Sequence, residues 1–211
     1  GFLEKFGKDR VRNTPLCESA IVGAALGLSI KNKKAIMEMQ FADFVTVGFN
    51  QIVNNLAKLH YRWGGNADVV IRMPTGAGVG AGPFHSQSNE AWFSHTPGLK
   101  VLYPSNPEDA KGLMLAAIED PNPVMIFEHK ALYRSLTGLV PKNYYVTPIG
   151  KANLVEEGND LSIITYGMGV HWAKKAVKEK NISADILDLR TLLPLDKDSI
   201  FKSVKKTNKV L

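Results

Sequence analysis

The chain has 211 residues, enough for one large or two small domains, and 45% of them are hydrophobic, which is ample for buried cores. Its single cysteine, Cys17, excludes an internal disulfide and is typical of a reducing compartment. The net charge is +6, but the basic residues are spread along the chain among acidic ones and no nucleic-acid-binding motif accompanies them, so we do not expect a nucleic acid as a partner. No apolar run reaches the roughly 20 residues of a membrane span, so we do not expect a membrane as a partner either.

The first part of the chain alternates helical patterns with short β-branched runs. Thr14-Pro15 is typical of a helix cap followed by proline in the first turn, and Gly64-Gly65 of a helix end. In chain order the patterns predict a helix from Thr14, a strand at 35–41, a helix at 44–63, a strand at 68–73, a glycine-rich loop at 76–82, a strand at 100–103, a helix at 106–118 and a strand at 124–128. Strands separated by helices predict an α/β fold with a parallel sheet covered by helices.

A second α/β unit follows a segment rich in turn-forming residues. We assign residues 1–135 to the first domain, 136–150 to a linker and 151–211 to the second domain. The second unit has predicted strands at 161–166 and 184–189, and predicted helices at 170–180 and 197–206. A further strand begins at Val210, and we expect both ends of the sequence to be cut points, so that each domain is incomplete at its outer end.

The glycine-rich loop invites a nucleotide-binding interpretation. Gly76, Gly78 and Ala81 follow a predicted strand with the spacing of a relaxed dinucleotide fingerprint. However, Gly82-Pro83 stands where that fingerprint needs a helix, and no acid ends the next strand, so we reject a nicotinamide site. The loop is either a flexible surface loop or a backbone that a ligand or partner can approach closely.

Two residues are candidates for chemistry. None of the five histidines has metal-site spacing. A lone histidine is more often structural than catalytic, and the position of His85 after a loop shifts that balance towards function without reversing it. Glu18 lies in the first turn of an apolar helix. By residue chemistry alone, the favoured role of Glu18 is to stabilise the helix N-terminus, worth ~0.3–1 kcal/mol, rather than to bind a ligand.

Several segments, in order along nearly the whole chain, carry a family resemblance. They are Asn13-Thr14-Pro15-Leu16-Cys17-Glu18, Glu38-Met39-Gln40-Phe41-Ala42-Asp43-Phe44, 49–54, His85-Ser86-Gln87-Ser88, 97–101, 109–113 and Asp188-Leu189-Arg190-Thr191 with Pro194. Together they resemble the beta subunits of thiamine-diphosphate-dependent 2-oxoacid dehydrogenases. The resemblance implies a thiamine-diphosphate pyrimidine-binding domain followed by the start of a transketolase C-terminal domain.

The resemblance also implies roles for individual residues. Glu18 matches a glutamate that hydrogen-bonds the aminopyrimidine ring of the cofactor and promotes loss of the thiazolium proton. His85 matches a histidine that helps to pass the acyl group to a lipoyl arm. The matches to cofactor-binding positions are Leu16, Glu18, Gln40, Phe44 and His85. Phe44 stands where some relatives have a tyrosine, and it lacks that hydroxyl group.

The family resemblance also implies two metal ions. The family's alpha subunit holds the diphosphate through Mg²⁺ with a Gly-Asp-Gly motif, which this sequence lacks. Some relatives also bind K⁺, a hard cation suited to oxygen ligands. The matching positions are Ala67, Val69, Val70, Ala117, Asp120 and Asn122. By residue chemistry alone, Asp120-Pro121-Asn122-Pro123 is equally a plain turn between a helix and a strand.

The implied reaction is oxidative decarboxylation of a 2-oxo acid with acyl transfer to lipoyl. The implied partners are an alpha subunit or alpha region, a second beta copy and a lipoyl acyltransferase core, in a bacterial cytoplasm or in a mitochondrial matrix. The segments at 40–43 and 51–54 resemble the branched-chain enzymes more closely than the pyruvate enzymes, which implies a branched-chain substrate such as 3-methyl-2-oxobutanoate. The alternatives are a pyruvate or acetoin dehydrogenase beta subunit, and a non-catalytic assembly module.

Overall fold

The computed structural model describes residues 1–211. The helices are α1 (Phe2–Phe6), α2 (Glu18–Ile30), α3 (Val45–Asn50), α4 (Leu59–Trp63), α5 (Glu90–Ser94), α6 (Pro107–Glu119), α7 (Leu132–Ser135), α8 (Met168–Lys180) and α9 (Lys197–Thr207). The strands are β1 (Ala35–Glu38), β2 (Val69–Thr75), β3 (Lys100–Leu102), β4 (Val124–His129), β5 (Asn153–Glu156), β6 (Leu161–Thr165), β7 (Ala184–Asp188) and β8 (Thr191–Leu193). None of the helices is both long and apolar enough to cross a bilayer.

A five-stranded sheet of order β1-β2-β4-β3-β8 organises the first unit. Its first four strands are parallel, and β8 pairs antiparallel with β3. A core of 22 buried residues fills one face, where α2 and α3 pack, and a smaller core lies under α6 on the other. β4 is buried along nearly its whole length, as a parallel strand covered on both faces must be. The predicted α/β class is confirmed, with antiparallel strands added at the sheet edges.

The helix predicted at 44–63 has a helical backbone along this segment, but it is not a regular α-helix. The segment divides into a 3-10 turn at Ala42–Phe44, α3, a π-helical stretch at Gln51–Leu56 and the separate helix α4. In the π stretch the Ala57 amide donates to the Ile52 carbonyl, five residues back, at 2.9 Å. The Ala57 carbonyl then packs against Gly98, where any side chain would collide with it. A close tertiary contact thus lies where the π-helical stretch ends, and the apolar periodicity does not predict it.

The second unit has a three-stranded sheet of order β5-β7-β6, in which β5 is antiparallel to β7. After β7, Arg190 adopts a left-handed conformation with φ of 57°, and the chain returns to the first unit as β8. Residues 191–193, which the sequence places in the second domain, thus extend the first sheet.

A buried ion pair fixes this crossing between the two units. The Arg190 guanidinium donates to both carboxylate oxygens of Asp109, each at 2.8 Å, and the Asp109 side chain is only 3% exposed. Ser105 donates to the carboxylate of Asp188, and the imidazole of His171 contacts the Ser105 carbonyl at 2.7 Å. Burial raises the pKa of Asp188 above its ordinary value.

We expect Arg190→Ala to lower the free energy of unfolding by about 3–5 kcal/mol, because it leaves the buried carboxylate of Asp109 without its cation. Urea titration of the full-length protein measures the loss. The matched control is Lys175→Ala, which removes the exposed pair between Lys175 and Glu179. That variant should change the free energy by less than about 0.5 kcal/mol. Equal losses in the two variants would contradict the proposed importance of the buried pair.

Candidate active site

The carboxyl ends of β1, β2 and β4 meet at one edge of the first sheet. Open parallel sheets bind ligands in the crevice at this edge. Gln40 follows β1, and Lys130 follows β4. Because α2 packs against β1 and leads into it through a short turn, the first turn of α2, with Glu18, lies at the same edge. α3 also packs closely there, since a side chain at Gly48 would come within 3.5 Å of the Glu18 carbonyl oxygen.

Three rings form a cluster at this edge. The imidazole of His85 stands edge-on to the rings of Phe41 and Phe44, with centroids 4.9 and 5.5 Å apart. The two phenylalanine rings also meet edge to face at 5.9 Å. Such arrangements are favourable because the positive ring edge meets the negative ring face. All three side chains are half-buried, so the cluster has one side open to a ligand.

Hydrogen bonds hold the segment that carries His85. The Gln87 amide donates to the carboxylate of Asp43 at 3.1 Å, and the Gln87 carbonyl accepts from the Thr75 hydroxyl and the Gly76 amide, each at 3.0 Å. The Asn89 side chain donates to the Ala42 carbonyl at 3.0 Å. The glycine-rich loop is therefore tied at its far end to the strands, and His85 lies next to that anchor.

Two buried residues of opposite charge, Lys130 and Asp43, lie close to the rings without forming an ion pair. Lys130 and Asp43 are 6% and 4% exposed, and neither the Lys130 Nζ nor the Asp43 Oδ2 has a hydrogen-bond partner within the chain. The Lys130 ammonium lies 5.0 Å from the centroid of Phe41, a cation–π distance. Burial lowers the pKa of Lys130, and the charge of Asp43 offsets part of this effect.

A second polar pair, Glu90 and Tyr166, lies between the two units. The Tyr166 hydroxyl donates to Glu90 Oε1 at 3.1 Å, while Glu90 Oε2 and Asn89 Oδ1 are buried without partners. Burial, and next the charge of Glu90, raise the pKa of Tyr166 to about 12. Buried polar atoms normally have hydrogen-bond partners, so these two atoms on successive residues are exceptions within the chain.

Two domain families match the chain. The family described as "Transketolase, pyrimidine binding domain" matches residues 1–135, and "Transketolase, C-terminal domain" matches residues 150–211. The chain belongs to the transketolase-like family. The predicted resemblance to the beta subunits of 2-oxoacid dehydrogenases is also confirmed.

Curated relatives of this transketolase-like chain carry different names. The chain is 48% identical, over 218 residues, to the 2-oxoisovalerate dehydrogenase subunit beta of Bacillus subtilis, with 100% of this chain and 66% of that protein covered. It is also 48% identical, over 216 residues, to the acetoin:2,6-dichlorophenolindophenol oxidoreductase subunit beta of Cupriavidus necator, with 100% and 63% covered. The chain thus spans less than two thirds of the length of these relatives.

A solved structure has the same fold. It is described as "Split gene transketolase, inactive beta4 tetramer", with a TM-score of 0.80 and 24% sequence identity. The match covers 99% of this chain and 66% of that one. At this identity the likeness shows the fold alone.

The transketolase-like fold brings most of the predicted cofactor-binding residues to the carboxyl edge. Gln40, Phe44 and His85 follow the ends of strands, and Glu18 is half-buried in the first turn of α2. Leu16, just before α2, is 90% exposed. The donor set suits an aminopyrimidine ring, since it combines a carboxylate, an amide and aromatic faces.

Asp43 and Lys130 are residues at this edge that the sequence analysis missed. Lys130 directly follows β4, and Asp43 lies in the 3-10 turn after β1, so both are charged residues beyond the carboxyl ends of parallel strands, where functional side chains are often placed. That combination is a usable signal. The sequence pattern does not show that the two residues are buried or that they lie near each other, because both features depend on the tertiary structure.

The predicted K⁺ ligands lie at the opposite, amino edge of the sheet. Asp120 follows α6, and its carboxylate accepts from Lys100 and from the Asn122 amide and side chain. Burial raises the pKa of Asp120, but the hydrogen bonds from Lys100 and Asn122 outweigh burial and hold that pKa below its ordinary value. The Ala67 carbonyl accepts from the Val69 amide at 2.9 Å. Much of this oxygen set is therefore already occupied by groups of the chain itself.

Proposed function

We propose that this chain is the beta component of a thiamine-diphosphate-dependent 2-oxoacid dehydrogenase that acts on a branched-chain 2-oxo acid and passes the acyl group to lipoyl. The main support for the proposal is that four residues lie at the carboxyl edge of the first sheet: Glu18, Gln40, Phe44 and His85. The identity to relatives named for this activity supports it. The proposed location is a bacterial cytoplasm, or the mitochondrial matrix in a eukaryote.

The residues of the chain would have different roles at the proposed site. Thiamine diphosphate, when bound, supplies the electron sink for decarboxylation. Glu18 would hydrogen-bond the pyrimidine ring, and its half-buried position strengthens such a bond relative to water. Leu16, Gln40 and Phe44 would line the pyrimidine ring. His85 would supply the proton needed when the lipoyl dithiolane opens.

Partners would complete the site. We propose that an alpha subunit or alpha region holds the diphosphate and Mg²⁺, and that a second beta copy and a lipoyl acyltransferase core complete the assembly. Leu16 and Phe84 flank the edge and are 90% and 76% exposed, and exposed apolar side chains next to a site are typical of an interface. We infer that the beta chain alone is inactive, because its sequence lacks the Gly-Asp-Gly motif through which an alpha subunit would hold Mg²⁺ and the diphosphate.

In the full-length complex, we expect kcat/KM for 3-methyl-2-oxobutanoate to exceed that for pyruvate by about 10–200-fold, the range that added methylene groups give in an apolar pocket. Steady-state kinetics with an artificial electron acceptor measures the ratio. Equal or reversed values would move the assignment to a pyruvate enzyme, and turnover of acetoin alone would move it to an acetoin enzyme.

The same preparation tests the remaining alternative. We expect no turnover by the beta chain without its alpha partner, and turnover when the two are combined with thiamine diphosphate and Mg²⁺. A complex that assembles but neither binds thiamine diphosphate nor turns over any of these substrates would instead favour a non-catalytic assembly module.

A further inference from the structure

A network of charges ties together the amino edge of the five-stranded sheet. Lys34, one residue before β1, donates from its Nζ to the backbone carbonyl of Asp120 at 2.7 Å. The same Nζ lies 3.1 Å from the carboxylate of Asp68, just before β2. Lys34 therefore joins two turns that are far apart in the sequence, and its side chain is 26% exposed.

Both carboxylates of the network are fully engaged by the chain. Asp68 accepts from the Ser29 hydroxyl and from Asn66, and the Asp68 amide donates back to Ser29 at 2.9 Å. Asp120 accepts from Lys100 through one oxygen and from Asn122 through the other. Two ammonium groups thus face two carboxylates, and the network is neutral without any added ion.

This turn is where the family resemblance places a bound K⁺, and the residues present do not fit that ion. A potassium ion would have to compete with Lys34 for the Asp120 carbonyl, and it would enter a network that is already neutral while Lys34 is present. Val69 and Val70 are already within the ladder of β2, which has a neighbouring strand on each side. A third positive charge among these groups would be repelled, because like charges at such distances disfavour one another.

We propose that the Lys34 ammonium acts in place of a bound monovalent cation at this edge of the sheet, so that this chain binds no potassium there. The lysine supplies the positive charge that the Asp120 carbonyl and the Asp68 carboxylate share. It is tethered to the chain, so the turns at 66–69 and 119–122 are held together whatever ions the solution contains. The proposal does not depend on the reaction that the protein catalyses.

Hydrogen–deuterium exchange of the full-length protein, in its natural complex, tests the proposal locally. The readout is the exchange of amides in the turns at 66–69 and 119–122, in potassium chloride or in tetramethylammonium chloride, whose cation is too large for such a site. The wild-type rates should differ by less than about twofold between the salts. In Lys34→Thr, potassium should slow exchange about tenfold or more, as a ligand at ten times its dissociation constant does.

Two further variants serve as controls for this experiment. Lys33→Thr makes the same change of charge one residue earlier, at an exposed side chain, and should behave as wild type. Lys34→Arg keeps a positive charge at this position, so the exchange of its amides should also be unaffected by potassium. This variant tests the role of the charge even if Lys34→Thr folds poorly. Selective slowing of wild-type exchange by potassium would overturn the proposal, and so would a Lys34→Thr protein whose exchange ignores potassium.

Discussion

Replacing Glu18 with glutamine is expected to slow deuterium exchange at the thiazolium carbon of bound thiamine diphosphate by about 10²–10⁴-fold, the usual contribution of a positioned acid–base group. Glutamine has nearly the size of glutamate but lacks the negative charge that favours proton movement on the pyrimidine ring. Quenched-flow exchange followed by NMR of the released cofactor measures the rate in the full-length complex. The measurement needs no substrate turnover.

Glu108→Gln is the matched control for this variant. α2 and α6 each span 13 residues, and Glu18 and Glu108 both lie in the first turn. The two substitutions therefore remove the same favourable interaction with the helix N-terminus, worth ~0.3–1 kcal/mol. The melting temperatures of the two variants should change alike, while only Glu18→Gln should change proton exchange. Wild-type exchange in Glu18→Gln would leave the carboxylate with the helix-stabilising role alone.

Replacing His85 with alanine is expected to lower the lipoyl-dependent overall rate by about 10²–10⁴-fold, because a general acid contributes about that much. Decarboxylation followed with an artificial electron acceptor should fall far less. The structural reason is the position of His85, half-buried against Phe41 and Phe44 beside the anchored end of the glycine-rich loop. There the imidazole is fixed at the rim of the site rather than within the core.

A histidine elsewhere on the chain supplies the comparison. His95 follows α5, is exposed, and should tolerate alanine without loss in either assay. If both rates collapse together in His85→Ala, the imidazole serves the ring cluster or cofactor binding, and the transfer role fails. Phe44→Leu, which removes one edge-to-face contact and keeps an apolar side chain, should then reproduce part of the same loss.

The sequence by itself determined the elements whose signals are local. The prediction for α6 at 106–118 is within one residue of Pro107–Glu119, because Asn106 caps the helix and its side chain accepts from the Asp109 amide at 2.8 Å. β4 was equally clear from its apolar run, and Gly64 ends α4 in the left-handed conformation that glycine favours. The family resemblance supplied the candidate site residues, since residue chemistry alone favoured a helix-stabilising role for Glu18 and did not single out Leu16, Gln40 or Phe44.

Only the tertiary structure decided how distant segments meet. Four contacts join residues that lie far apart in the chain. They are the addition of β8 to the first sheet, the pairing of Arg190 with Asp109, the burial of Lys130 behind Phe41 and the contact of Lys34 with Asp120. No propensity or periodicity encodes such contacts, because each depends on which buried surfaces pack together once the sheet has formed. The π-helical stretch within 44–63 is another feature that the apolar pattern does not encode, and it ends where Gly98 approaches the Ala57 carbonyl.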